Sequence, residues 1–91
     1  MFDEIMNYIK GFLDNAQEDI YDFSCDLEGM LAAHYDEMYK EQSEATKILN
    51  NEIPDICATG EPGMTKEEIE KFKYALRIEY ERALRAVVHR I

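Results

Sequence analysis

Tryptophan is absent from this 91-residue chain, and cysteine, proline and glycine are scarce at two, two and four residues. Cys25 and Cys57 are too few for a disulfide framework and lack the C-x-x-C spacing of a redox or zinc site. No apolar run approaches the length of a membrane span, so a bilayer crossing is not expected. Met1-Phe2-Asp3-Glu4 opens with acids, the reverse of a secretory n-region, and predicts no export signal. A cytoplasmic protein with reduced thiols is the simplest expectation. Positive charge is also in short supply, with 10 basic residues against 20 acidic ones and a net charge of −10. Residues 1–65 hold 15 acids against Lys10, Lys40 and Lys47, whereas residues 66–91 carry a slight basic excess. Such a balance argues against duplex DNA and anionic membranes as partners, since both need a concentrated basic footprint. It favours a basic protein surface.

What the chain does have is helical periodicity. Hydrophobic residues make up 46% of it, and their spacing sets the fold class. Over residues 2–49 one face of a helix collects Phe2, Ile5, Ile9, Phe12, Leu13, Ala16, Ile20, Phe23, Leu27, Met30, Leu31, Met38, Ala45, Ile48 and Leu49. Only His34 and Glu41 interrupt this stripe. A single helix of that length would be about 72 Å long, against roughly 32 Å for a compact chain of this size. The expected break is at Asp14-Asn15, where Asn15 caps a second helix and Glu18 supplies the reciprocal partner. That helix then runs on to Asn50-Asn51. Residues 52–64 hold both prolines and two glycines and read as an irregular loop. Thr65 and Glu68 form a capping box that opens the last helix, whose apolar face is Ile69, Phe72, Leu76, Tyr80, Ala83, Val87 and Ile91. The expectation is a single all-α domain over 1–91, a three-helix bundle with helices at about 3–13, 15–50 and 65–90. A chain this size buries roughly 65% of its unfolded surface. Its long second helix would expose a stripe that homodimerisation covers, completing a larger bundle.

Catalytic chemistry finds little support in the residues. The di-iron bundle pattern of Glu-x-x-His pairs is missing. Glu41/Glu44 and Glu52/Asp55 imitate the paired acids of magnesium-dependent helical pyrophosphatases, but Pro54 between the second pair argues against a shared helix face. Thr59-Gly60-Glu61-Pro62-Gly63 lacks the Gly-Lys-Ser/Thr of a P-loop. Ser24 and Ser43 have no neighbouring base, and Cys25 lies among carboxylates that oppose thiolate formation. No catalytic residue, metal or cofactor is therefore expected.

The outer face is more informative. Asp14, Glu18, Asp22 and Asp26 recur every four residues opposite the apolar stripe, and Asp36 continues that side. Like charges at this spacing cost a few tenths of a kcal/mol per pair. Carboxylates about 6 Å apart along a rigid helix can stand in for the phosphates of a nucleic acid. In composition alone this resembles the small acidic inhibitors that phages and mobile elements direct against nucleases and CRISPR effectors. The bland alternative is a solvated face that keeps the protein soluble. Cys25 and Gly29, with Gly11 and Ala32, form a strip of small side chains that permits close helix approach. Tyr21 and Tyr39 flank this strip as candidate rim contacts. His34, inside the apolar stripe, reads as an interface specificity residue, with Glu41 of a second chain as its partner.

The expected function is non-catalytic protein–protein interaction, as an acidic inhibitor or adaptor on a basic nucleic-acid-binding surface. One alternative is a structural assembly or chaperone-like adaptor with apolar contacts; another is a small magnesium- and nucleotide-binding enzyme. Direct nucleic-acid binding through Lys73, Arg77, Arg82, Arg85 and Arg90 ranks last, because Glu79 and Glu81 interrupt that surface.

Overall fold

The computed structural model of the chain describes residues 1–15 and 19–88. Among these residues all regular structure is helical, in four helices rather than three: α1 Phe2–Asn15, α2 Ile20–Glu41, α3 Ser43–Ala58 and α4 Lys66–Ala86. Each helix packs on its neighbour in chain order, and α4 closes the ring on α1, giving a four-helix arrangement. Consecutive helices run antiparallel, since Phe2 reaches Glu41, Phe12 meets Phe23, and Gly60 lies against Ser24. The molecule measures 43 × 23 × 20 Å.

The helix expected over 15–50 begins later, at Ile20, and is divided in its interior at Gln42. Asn15 lies inside α1 and does not cap α2. Asp19 does so, its carboxylate accepting the backbone N–H groups of Tyr21 at 2.8 Å and Asp22 at 3.3 Å. Glu18 and Ala16 lie outside the described residues. The division at Gln42 has no counterpart in the sequence reading. Its backbone leaves the helical region at φ −146° and ψ 84°. Tertiary contacts of the Glu41 and Gln42 side chains hold this corner in place. Glu41 accepts the Phe2 N–H at 3.2 Å and the Met1 ammonium at 3.0 Å. The Gln42 side-chain amide pairs with both backbone groups of Val88, donating to its carbonyl at 3.0 Å and accepting its N–H at 2.8 Å.

Folding back at Gln42 lets one chain cover its own stripe. Ile5, Ile9, Leu27, Met38, Ala45, Leu49 and Ile53 are fully buried. Phe12 and Phe23 stack at 3.9 Å between ring centroids, and Phe72 meets both edge-on at 6.0 and 6.4 Å. Such aromatic pairs contribute about 0.5–1.5 kcal/mol each beyond the area they bury.

The expected loop over 52–64 is mostly helix. Helix α3 runs through Pro54 to Ala58, and only 59–65 connect it to α4. Proline removes the hydrogen bond to the carbonyl four residues back. Here that carbonyl belongs to Asn50, and both residues are exposed, where water can reach the freed group at little cost. Gly63 adopts φ +76° in the connection, a left-handed conformation that glycine reaches without steric cost. The capping box opens α4 as expected: Thr65 Oγ accepts the Glu68 N–H at 3.2 Å, and Glu68 Oε1 accepts the Thr65 N–H at 3.0 Å. Helix α4 ends at Ala86 rather than 90.

Candidate partner-binding surface

The acidic residues singled out from the sequence occupy two helices, not one. Asp14 is exposed near the end of α1, 3.7 Å from Lys10, while Asp22, Asp26 and Asp36 are exposed on α2. The row at four-residue spacing therefore does not run unbroken, because the helix that would carry it ends at Asn15. Glu18 falls outside the described residues. Asp22 and Asp26 stand one turn apart on α2, about 6 Å along its axis, and Asp36 follows about 15 Å further on. Among the described residues, the ion pairs involve other carboxylates (Asp14, Glu37, Glu41, Glu44 and Glu79), and no basic side chain pairs with these three. Asp26 instead accepts a hydrogen bond from the Tyr8 hydroxyl at 3.4 Å.

Between Asp26 and Asp36 α2 presents Gly29, Ala32 and Ala33, with Cys25 just before Asp26, all exposed. A Cβ added at Gly29 would meet nothing within 4 Å, and the same holds for Gly11. Among the described residues, no neighbouring element approaches the helix closely at Gly29 or Gly11. Tyr21 and Tyr39 border this face and are 46% and 39% exposed. Tyr39 is braced, stacked on Tyr35 at 5.9 Å with the Lys47 ammonium 5.7 Å from its ring centroid. Hydrogen bonding to Glu44, and then the charge of that carboxylate, raise the Lys47 pKa and keep it cationic.

His34 lies half-buried on the inner side of α2, as the stripe implies, while Glu41, expected as its partner from a second chain, is engaged within its own chain. Glu41 serves the start of α1 within the same chain, and these contacts hold its pKa below the ordinary value. The nearest acid to His34 is Glu37, 3.7 Å from Nδ1, and Nδ1 is buried without a hydrogen bond. Cys57 is buried as well, and desolvation pushes its thiol up to about 11, with the adjacent Ser24 hydroxyl partly opposing the rise. Ser24 Oγ itself makes no hydrogen bond of ordinary geometry.

Helix α4 holds a residue pair that the sequence reading missed. Glu79 is buried, and both its carboxylate oxygens accept from one Arg82 nitrogen, at 3.0 and 2.9 Å. Arg82, itself exposed, is thus paired with Glu79 rather than free on a basic surface. The Pro54 argument against the Glu52/Asp55 pair also falls, since both residues share α3. Even so, among the described residues no three His, Cys, Asp or Glu side chains converge where they could hold a metal ion. No helix among them is long and apolar enough to cross a membrane.

Comparison with protein-family models, with curated proteins and with solved structures finds no match to this chain.

Proposed function

We propose that this protein is a non-catalytic interaction protein, an acidic inhibitor or adaptor whose outer α2 face occupies a basic, nucleic-acid-binding surface of a target protein. The observation that carries the reading is that, among the described residues, no neutralising base pairs with Asp22, Asp26 or Asp36, on a helix whose inner side is anchored in the core. A rigid helix holds carboxylates at fixed spacing, so their ordering entropy is spent in folding and not in binding. The bare Gly29-Ala32-Ala33 stretch lets a partner approach the helix backbone between the two charged groups, with Tyr21 and Tyr39 at its border. The free thiols Cys25 and Cys57 suit a reducing, cytoplasmic setting.

The reading requires only one subunit. Homodimerisation followed from one unbroken helix over 15–50, and α3 now covers the stripe that a second chain was to cover. Mass by light scattering at low and high salt tests this, with a monomer expected under both conditions.

The functional test is displacement of labelled duplex DNA from a panel of basic nucleic-acid-binding proteins. The wild-type chain should displace DNA from its target, and displacement should weaken steeply as salt rises. Reversal of Asp22, Asp26 and Asp36 to lysine should abolish displacement while leaving helicity intact. Displacement that survives the reversal would refute the proposal, and salt-insensitive association would favour an apolar adaptor.

A further inference from the structure

The first half of α4 borders two adjoining depressions that the acidic face of α2 does not share. One, of about 420 Å³, lies between α3 and α4, floored by Ile56, Met64, Phe72 and Ala75. Asp55 from α3 and Glu68 from α4 stand at its edges. The other, also of about 420 Å³, is bordered by Glu67, Glu70 and Tyr74. Lys71 lines both, so the two form one continuous surface. Tyr74 is 70% exposed, the most exposed large hydrophobic side chain among the described residues, and Ile78 one turn on is 40% exposed.

The chemistry of this surface selects its occupant. The floor is aliphatic and aromatic, and the rim carries four carboxylates against the single ammonium of Lys71. Hydrogen bonds from the Thr65 N–H and hydroxyl hold Glu68 below the ordinary carboxylate pKa, so its charge persists at neutral pH. A second copy of the chain would bring a net charge of −10 to an already acidic rim. An acyl chain could use the floor, but an anionic headgroup would face the same carboxylates. A furrow between two antiparallel helices matches the ridge of a third helix, whose anchors recur every three or four residues.

We infer that the α3–α4 furrow and the Tyr74 ledge beside it form a second docking surface, which takes a basic amphipathic helix of another protein. Apolar anchors of that helix lie over Ile56, Met64 and Ala75, and its lysines or arginines reach Asp55, Glu67 and Glu70. This surface is independent of the α2 face and stands whether or not that face binds a target.

The test uses a short fluorescein-labelled Leu/Lys amphipathic peptide, with its Leu/Glu counterpart as control. Titration into the ¹⁵N-labelled full chain should shift the amides of Ile56, Thr59, Met64, Lys71, Ala75 and Ile78. Anisotropy should show binding weakened at least about fivefold by Tyr74→Ala, an exposed change that spares the core, and further by Ala75→Lys. Reversal of Asp22, Asp26 and Asp36 to lysine should leave this site occupied, which separates it from the α2 proposal. Shifts confined to α2, affinity unchanged in Tyr74→Ala, equal binding of the Leu/Glu peptide, or no binding would each overturn the inference.

Discussion

Replacing Ser24 by alanine should make the protein more stable, although the residue is buried. Ser24 is 4% exposed, and among the described residues its hydroxyl makes no hydrogen bond of ordinary geometry, the neighbouring Cys57 thiol offering only a weak one. An unsatisfied buried hydroxyl costs about 1–3 kcal/mol, judged from mutational data. Alanine is also the better helix former inside α2, by about 0.5 kcal/mol. Against these gains stands only the loss of one oxygen's packing, so a net gain of about 1 kcal/mol is expected. For a domain this size that corresponds to a rise in Tm of roughly 4–8 °C. Gly60 provides the opposing half of a double-mutant cycle. A Cβ there would lie 2.6 Å from Ser24 Oγ, 3.1 Å from Ile20 Cγ2 and 3.2 Å from the Cys57 carbonyl oxygen. Gly60→Ala should therefore cost about 1–3 kcal/mol through overpacking. In the Ser24→Ala background the shortest contact disappears, so the cost should fall by about 0.5 kcal/mol or more. The two longer contacts remain and keep it above zero. Urea unfolding followed by far-UV circular dichroism measures all four corners of the cycle. A clear loss of stability in Ser24→Ala would mean that the hydroxyl has a partner, and strict additivity would mean that the 59–65 connection does not pack against α2.

Two further outcomes follow from α4. Glu68 is held below its ordinary value of 4.5 by the Thr65 backbone N–H and then the Thr65 hydroxyl, so its contribution is complete above that value and is lost as pH falls through the lower folded-state value. Urea titrations at a series of acid pH values should show a flatter acid limb in Glu68→Gln, and Thr65→Ala should cost about 1 kcal/mol at neutral pH. Arg82→Met strands the buried Glu79 carboxylate and should cost about 1–3 kcal/mol after allowance for the exposure of Arg82, while Glu79→Leu combined with Arg82→Met should recover most of it. Thermal unfolding of the single and double variants checks this, and a single-variant loss of only a few tenths would refute it.

Elements written in local chemistry were legible in the sequence. The Thr65–Glu68 capping box marks the start of α4 to the residue, because both partners lie within one turn. The apolar periodicity of residues 2–13 likewise identifies α1 without outside help. The corner at Gln42 was not legible, since no glycine or proline breaks the pattern and its contacts lie 39 to 46 residues away. Pro54 misled in the opposite direction. Its cost is one carbonyl that water can satisfy, and packing of Leu49, Ile53 and Cys57 outweighs that cost. Asn15 and Asp19 are equally good caps by residue type, and where α1 ends decides between them. Among the site residues, exposure of Asp22, Asp26 and Asp36 was foreseeable from phase alone. The burial of Glu79 was not, because it depends on which side of α4 meets α3.

The corner at Glu41 and Gln42 also bears on the order of events in folding. Neighbours in the chain, these two residues gather Phe2 from one side and Val88 from the other, across long stretches of sequence. Closing such loops spends chain entropy before any contact returns it, whereas the α2–α3 pair assembles around a one-residue connection. The long-range contacts of the corner are thus expected to close after the α2–α3 pair has formed. Interactions made that late scarcely alter how fast a chain folds and chiefly set how slowly it comes apart. In that sense the Gln42 amide governs the lifetime of the native state more than the speed of reaching it.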